Sequence, residues 1–195
     1  MKLVLATSNK GKVREIKALC EDYEVVAYSE LIPEFEIVED AETFKGNALI
    51  KARAVFKALS DENAIVVADD SGISVDALDG APGIYSARYA GVDANDKDNL
   101  YKLMDAIKEK GLESSPAFYT AAIAIVTKTS EYCVHGWMYG TALTEAIGDG
   151  GFGYDPMFIP LRFDKTLGEL DDEIKKKLSH RSKALALAKK IIKTL

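Results

Sequence analysis

The chain has 195 residues, of which 48% are hydrophobic, and a formal net charge of -6 at pH 7. These values argue against a disordered chain and predict one sizeable domain with a substantial core. The net negative charge argues against direct nucleic acid binding. Because no run of about 18 apolar residues and no signal peptide is evident, the sequence predicts a cytoplasmic protein without a membrane partner.

The first predicted elements are a buried strand at residues 2–6, the polar loop Thr7–Lys12 and a helix with Val13, Ile16 and Cys20 on one face. A tight polar loop between a strand and a helix presents free backbone N–H groups and the positive end of the helix dipole to phosphate oxygens. The Walker spacing is absent. The loop is therefore either a phosphate site or an ordinary Asn/Gly turn with solvated lysines.

A strand near residues 24–28 and a helix from Thr43 to about residue 59 follow, with Thr43 as the expected N-cap. Thr43, Asn47 and Lys51 share one polar stripe of this helix, which spacing alone assigns to a solvated face. The segment before the helix contains four acidic residues that could complete a metal site, and nothing local selects among them: Glu36, Glu39, Asp40 and Glu42.

The apolar run at residues 64–68 predicts a central strand that ends on Asp69 and Asp70, turns at Ser71–Gly72 and continues as a second strand over residues 72–78. Adjacent carboxylates raise each other's pKa unless a cation lies between them, which favours a hard metal such as magnesium (Mg2+). The alternative is a pair that caps a turn. Because neighbours in extended backbone point to opposite faces, one aspartate should dominate the chemistry.

The second half of the chain predicts a helix near residues 94–110, an antiparallel pair of strands at 117–127 and 131–138, and a last helix from Ser179 or His180 to the C-terminus. Strands and helices interleave along the chain. The sequence therefore predicts an α/β fold with a mixed β-sheet flanked by helices.

Two segments of this half are candidates for ligand binding. In the glycine-dense stretch 148–156, Phe152 or Tyr154 could stack on a flat base, or the stretch is a turn with a core aromatic residue. His180 and Arg181 fall in the first turn of the last helix, where the dipole disfavours cations by about 0.3–1 kcal/mol. A ligand with negative charge or a carbonyl acceptor would offset that cost.

Together these segments resemble the inosine triphosphate pyrophosphatase family in order and over nearly the whole chain. The resemblance implies a single nucleotide pyrophosphatase domain over residues 1–195, elongated, with two lobes around a central cleft, and a homodimer. It implies Mg2+-dependent hydrolysis of ITP, dITP or XTP to the monophosphate and pyrophosphate, which keeps deaminated purines out of DNA and RNA. The motifs are TSNKGKVREI (7–16), TFKGNALIKAR (43–53), ADDSGISVDALDGAPGIYSARYAG (68–91), GGFGYDPMF (150–158) and SHRSKAL (179–185).

The resemblance also assigns residue roles. Glu39 and Asp70 would bind the metal, with Asp70 also the general base and Asp69 assisting. Residues that would contact the triphosphate or the base, including its 6-keto group, are Thr7, Ser8, Asn9, Lys10, Gly11, Lys12, Lys51, Ser71, Phe152, Gly153, Tyr154, Asp155, Lys175, His180 and Arg181. The sequence departs from the family pattern at Gly46, where many members have Glu, and at Ala41 and Ser8, which replace common glycines.

Two other functions remain open from the sequence. A Maf-like nucleotide pyrophosphatase would differ in substrate profile under the same metal dependence. A non-catalytic nucleotide sensor would bind a triphosphate without cleaving it, although paired carboxylates beside a phosphate loop argue against a sensor because it has no use for an activated water.

Overall fold

A six-stranded sheet flanked by α-helices forms the fold in the computed structural model, which describes residues 2–195. The strands are β1 Lys2–Leu5, β2 Glu24–Ala27, β3 Ile65–Val75, β4 Ser114–Val126, β5 Glu131–Leu143 and β6 Phe158–Pro160. The helices are α1 Lys10–Leu19, α2 Phe44–Leu59, α3 Asp96–Glu109, α4 Asp172–Leu178 and α5 His180–Ile192.

The strand order is β2-β1-β3-β4-β5-β6. Strand β1 pairs in parallel with both β2 and β3, so that Val4 lies opposite Val26 and Val66, whereas β5 and β6 are antiparallel. Strands β4 and β5 are neighbours joined by a connection so short that it suits only antiparallel strands. The predicted α/β fold with a mixed sheet is confirmed.

The chain divides into two compact units, and the first comprises residues up to 70, 121–136 and 181–195. Its sheet is covered on both faces: Val67 packs in a core with α1 and α5, whereas Val66 and Ala68 pack in a core with α2. This alternation along β3 follows from the pleat of an extended strand. It fixes the face to which each residue of β3 points.

The second unit comprises residues 71–120 and 137–180. Its core combines Ile73 of β3, Leu103 and Ile107 of α3, and Phe158 of β6, all of them fully buried. Tyr154 belongs to the same core and is 6% exposed. The glycine-dense segment therefore has one of its two aromatic residues anchored in apolar surroundings.

The prediction of two strands separated by a turn at Ser71–Gly72 is wrong, because β3 is continuous from Ile65 to Val75. A Cβ at position 72 would lie 2.4 Å from both the carbonyl oxygen of Gly83 and the Oγ of Ser86. Ser86 Oγ also accepts a hydrogen bond from the backbone N–H of Ile73 at 2.9 Å. Glycine here serves a close approach of the 3-10 turn Gly83–Arg88 to an extended strand, rather than a reversal of the chain.

Other predicted elements agree with the structure within a few residues. Thr43 caps α2, since its Oγ1 accepts a hydrogen bond from the N–H of Gly46 at 3.0 Å. Strand β5 runs to Leu143, five residues beyond its predicted end at 138. The short elements β6 and α4 were not predicted because three and seven residues give little periodicity. Within residues 2–195, every helix is too short or too polar to cross a membrane.

Candidate active site

The two aspartates at positions 69 and 70 lie on opposite faces of β3, because the strand stays extended through both residues. Asp69 follows the direction of Val67 and meets Arg181 of α5, whereas Asp70 follows Ala68 and meets Lys51 of α2. The sequence predicted that one of the two aspartates would dominate the chemistry. The structure gives each its own charged surroundings.

Asp70 lies in a cluster with Lys51 and Glu39. The ammonium of Lys51 donates to Asp70 Oδ1 at 2.8 Å and to Glu39 Oε2 at 2.6 Å. Burial acts to lower the pKa of Lys51, but the carboxylates of Asp70 and Glu39 outweigh burial and raise it. Burial raises the pKa of Asp70, and the charge of Lys51 opposes that rise. Lys51 is therefore buried and lies between two carboxylates, instead of on the solvated face that its spacing suggested.

The oxygen atoms of this cluster fit a hard divalent cation. Asp70 Oδ2 is buried and has no hydrogen bond partner, which is an unusual state for a carboxylate oxygen. Asp70 and Glu39 offer carboxylate ligands of the kind Mg2+ prefers. Residues 2–195 contain no preassembled group of three His, Cys, Asp or Glu, so a cation here would take further oxygen ligands from water or substrate.

Asp69 belongs to a second cluster, in which the side chains of Asp69 and Arg181 are buried. Arg181 Nε and Nη2 donate to its two carboxylate oxygens at 3.3 and 3.4 Å, and Lys12 Nζ lies 2.7 Å from Oδ2. Burial acts to raise the pKa of Asp69, but the charges of Arg181 and Lys12 outweigh it and hold the pKa well below its usual range. Arg181 also binds Glu15. Asp69, Lys12 and Arg181 are thus brought together as an ion-pair cluster.

Sequence reasoning missed Glu15, although a signal was present. Glu15 follows Lys12 by three residues, and residues at this spacing share one face of a helix. Its partner Arg181 is 166 positions away, and no local pattern reports such a contact.

The loop at the start of α1 forms a turn stabilised by its own side chains. Thr7 Oγ1 accepts from the N–H of Asn9 at 3.2 Å, and Asn9 Oδ1 accepts from the N–H of Lys12 at 3.0 Å. Ser8, Asn9 and Lys10 are exposed, and Gly11 is half-buried in the first turn of the helix. The loop is therefore a capped helix N-terminus open to solvent, and its binding of phosphate stays a prediction.

In the second unit, the two aromatic residues of the segment Phe152–Asp155 have different surroundings, one exposed and one buried. Phe152 is 42% exposed, whereas Tyr154 is buried and donates from its hydroxyl to the carbonyl of Ser86 at 2.6 Å. Asp155 Oδ2 accepts from the N–H of Phe152 at 3.2 Å, and the N–H of Gly153 donates to Asp96. Phe152 is therefore the ring that a base could reach.

Three further predicted residues lie in this unit. His180 is buried and stacks on Tyr119 with ring centroids 4.8 Å apart and 13° between the ring planes. Lys175 pairs with Asp172 at 2.8 Å, and Ser71 is half-buried directly after Asp70 in β3. Their contacts with substrate stay predictions.

Tyr154→Phe is expected to lower the free energy of unfolding by about 1 kcal/mol while leaving kcat/KM for a nucleotide substrate unchanged, because the hydroxyl serves a buried hydrogen bond. Burial, followed by the charges of Tyr89 and Asp96, raises the pKa of Tyr154 above its ordinary value. Tyrosine in the unfolded state has a pKa of about 10, so above that pH the unfolded state loses the hydroxyl proton before the folded state does. The contribution of the Tyr154 hydroxyl to the free energy of unfolding is therefore present below pH of about 10 and is lost as the pH rises. Urea unfolding of both proteins at pH 8 and above pH 10 checks this.

The gap in stability between wild type and Tyr154→Phe should be present at pH 8 and shrink at the higher pH. Phe152→Ala is the matched control for stability alone, since the exposed ring contributes little to the core. A large loss of kcat/KM in Tyr154→Phe with unchanged stability would contradict the structural role of the hydroxyl.

Comparison with known proteins gives consistent matches. The family model described as Ham1 family matches residues 3–191. A protein of Sulfurimonas denitrificans named dITP/XTP pyrophosphatase is 70% identical, with 100% of each chain covered, and one of the same name from Aliarcobacter butzleri is 56% identical with the same coverage. The solved Ham1 protein of Staphylococcus aureus has a TM-score of 0.86 at 37% identity, with 100% of this chain and 99% of that chain covered.

Proposed function

The chain belongs to the Ham1 family, and on this premise we propose that it hydrolyses dITP, XTP and ITP to the nucleoside monophosphate and pyrophosphate. It is a nucleoside-triphosphate pyrophosphatase, a hydrolase that would remove deaminated purine nucleotides before they enter DNA or RNA. The names of relatives that match the whole chain support this substrate class.

The observation that carries the proposal is the state of Asp70. One of its carboxylate oxygens is bound by Lys51, and the other is buried without a hydrogen bond partner. A buried acceptor without a partner costs stability, which is acceptable where a ligand or a reacting water completes it. Asp70 is therefore the group best suited to accept a proton in the reaction.

Asp70 would act as the general base of the hydrolysis. Its free Oδ2 takes a proton from a water molecule as the oxygen of that water forms a bond to the α-phosphorus. The bond from the α-phosphorus to the bridging oxygen breaks, and pyrophosphate leaves with the bonding electrons. Lys51 holds the other oxygen of Asp70 and so fixes the orientation of the carboxylate.

Glu39 and Asp70 would hold the metal ion, for which we propose magnesium; because an ionised carboxylate has about four acceptor sites, Asp70 could contact Lys51, the ion and the reacting water together. When bound, magnesium supplies Lewis-acid stabilisation of the negative charge on the phosphate oxygens. Lys51, which links the same two carboxylates, keeps them close together before a cation binds. Lys12 and the N-terminus of α1 would add positive charge for the triphosphate.

The purine base would be bound by residues of the second unit. The exposed ring of Phe152 offers a surface on which a base could stack, and Lys175, His180 and Asp155 would supply polar contacts to it. Donors aimed at a 6-keto oxygen would reject adenine, since its 6-amino group would leave two donors facing each other. Guanine carries the same 6-keto oxygen, so rejection of GTP requires contacts near C2.

The proposal is tested by product analysis with XTP, dITP, ITP, ATP and GTP side by side, with magnesium and with a chelator. We expect magnesium-dependent release of pyrophosphate from the first three nucleotides at kcat/KM values at least about 100-fold above those for ATP and GTP. Release of orthophosphate, or equal activity on all five, would reject it and revive a Maf-like enzyme. Tight binding without turnover would point to a sensor.

We further propose that the enzyme acts as a homodimer in the cytoplasm, as the family resemblance implies. Sedimentation equilibrium over a range of protein concentrations tests the assembly, and a monomer at every concentration would reject it.

A further inference from the structure

Asn47 holds the segment that carries Glu39 onto helix α2. It is the fourth residue of this helix and is 1% exposed. Its Oδ1 accepts a hydrogen bond from the backbone N–H of Ala41 at 3.0 Å. Because an N–H group can only donate, the oxygen and not the nitrogen of the carboxamide must face Ala41.

The segment before α2 has no regular secondary structure, and its side chains Phe35 and Ile37 contact Tyr28 and the core. Residues 33–41 lie outside helices and strands. Within this described segment, the hydrogen bond from Ala41 to Asn47 is what connects the main chain to α2. The position of the backbone at Glu39, two residues before Ala41, therefore depends in part on Asn47, while the side chain of Glu39 pairs with Lys51 of the same helix.

A steric contact at the same point reinforces this attachment. A Cβ at Gly46 would lie 2.5 Å from the Cβ of Ala41 and 3.1 Å from Thr43 Oγ1. Ala41 thus packs directly on the helix backbone at Gly46 while Asn47 holds its N–H. Any side chain at position 46 would push Ala41 away from α2.

The two attachments act on the geometry of the Asp70 cluster. Lys51 lies one helical turn after Asn47 and contacts both Glu39 and Asp70. Helix α2 therefore presents Lys51 from one turn and fixes the segment of Glu39 from the preceding turn. A shift of Ala41 would move the carboxylate of Glu39 relative to that of Asp70.

The amide of Asn47 has a cost that packing alone does not explain. Its Nδ2 is buried and has no hydrogen bond partner. An apolar side chain of similar size would avoid this cost if the position served only the core.

We propose that Asn47 is a positioning residue that sets metal affinity by fixing Glu39 relative to Asp70, with Gly46 providing the space that Ala41 needs. This inference rests on the proposed function, since it takes Glu39 and Asp70 as the carboxylates that hold the cation. Residues that orient metal ligands typically change metal affinity or activity by about 10–100-fold when mutated.

Asn47→Ala is expected to raise the magnesium concentration for half-maximal XTP hydrolysis about 10–100-fold, with kcat at saturating magnesium within about twofold of wild type. Titration with Mn2+ in the presence of a non-hydrolysable XTP analogue should show the same loss of affinity without turnover. Amide hydrogen exchange should be faster at Ala41 in the variant, because its N–H loses its acceptor.

Asn99→Ala is the matched control. Asn99 is also the fourth residue of its helix, is 2% exposed, and its Oδ1 accepts from the N–H of Ala90 at 2.7 Å. It belongs to the second unit. Its loss should lower stability and leave magnesium and Mn2+ dependence unchanged, so equal shifts in the two variants would overturn the inference.

If Asn47→Ala does not fold, the variant Gly46→Ala tests the same inference. It should weaken metal binding by the clash with Ala41, and Ala41→Gly in the same chain should restore it by removing the clashing Cβ. Failure of this rescue, or unchanged metal binding in Gly46→Ala, would overturn the inference. If wild type cleaves no nucleotide, the proposed function fails, and Mn2+ binding with exchange at Ala41 still decides the role of Asn47.

Discussion

Asp70→Asn is expected to lower kcat for XTP by about 10²–10⁴-fold while nucleotide affinity stays within a few-fold of wild type. The amide keeps the size of the side chain and an oxygen that can accept from Lys51, but it cannot take a proton from water. Rates of pyrophosphate release, together with direct titration of nucleotide binding, separate the two effects.

The control for this variant removes the same charge from the surface. Asp105 is exposed and pairs with Lys108, at 3.7 Å, in the following helical turn. Asp105→Asn should therefore match wild type in kcat and in affinity. Wild-type turnover in Asp70→Asn would remove Asp70 from the mechanism.

Arg181→Met is expected to lower the free energy of unfolding by about 3–5 kcal/mol, because it leaves the carboxylate of Asp69 in the core without its main counter-charge. The Asp69 side chain is 0% exposed and that of Arg181 is 3% exposed, so water cannot replace the lost partner. Lys12 remains as a partial counter-charge for Asp69. Urea unfolding at pH 7 measures the loss.

Arg53→Met is the matched control for Arg181→Met. Arg53 donates to both oxygens of Glu131, at 2.9 Å from its Nε and 2.5 Å from its Nη2, but both side chains are largely exposed. An exposed pair of this kind is worth at most about 1 kcal/mol. Equal losses in the two variants would show that burial of the Asp69 cluster does not govern its contribution.

The sequence predicted the elements whose signals are local. The strand at residues 2–6, the helix after Thr43 and the last helix each have an apolar run or a periodic face that specifies the element without help from distant residues. Thr43 was predicted as a cap because its side chain bonds only three residues ahead.

The continuous strand β3 was not predictable from local sequence. Ser71 and Gly72 carry the signal of a turn, and only the approach of Ser86, 13 residues after Ile73, shows why the backbone stays extended. From the sequence one could therefore predict that Asp69 and Asp70 point to opposite faces of the sheet if the strand is continuous. One could not predict that the strand is continuous.

The charged partners were also beyond local reasoning. Spacing placed Lys51 on a solvated face, but Asp70 and Glu39 come to it from segments 19 and 12 positions away. The sequence likewise offered Phe152 and Tyr154 as equal candidates for stacking, and tertiary packing buries one and exposes the other. In both cases a long-range contact overrides the helical or turn pattern.

Single-turnover hydrolysis of XTP in water enriched in oxygen-18 tests most directly whether this centre delivers water to the α-phosphorus. Mass spectrometry of the products should find one labelled oxygen in the monophosphate and none in pyrophosphate. Label in pyrophosphate would mean attack at the β-phosphorus and would contradict the mechanism proposed for Asp70.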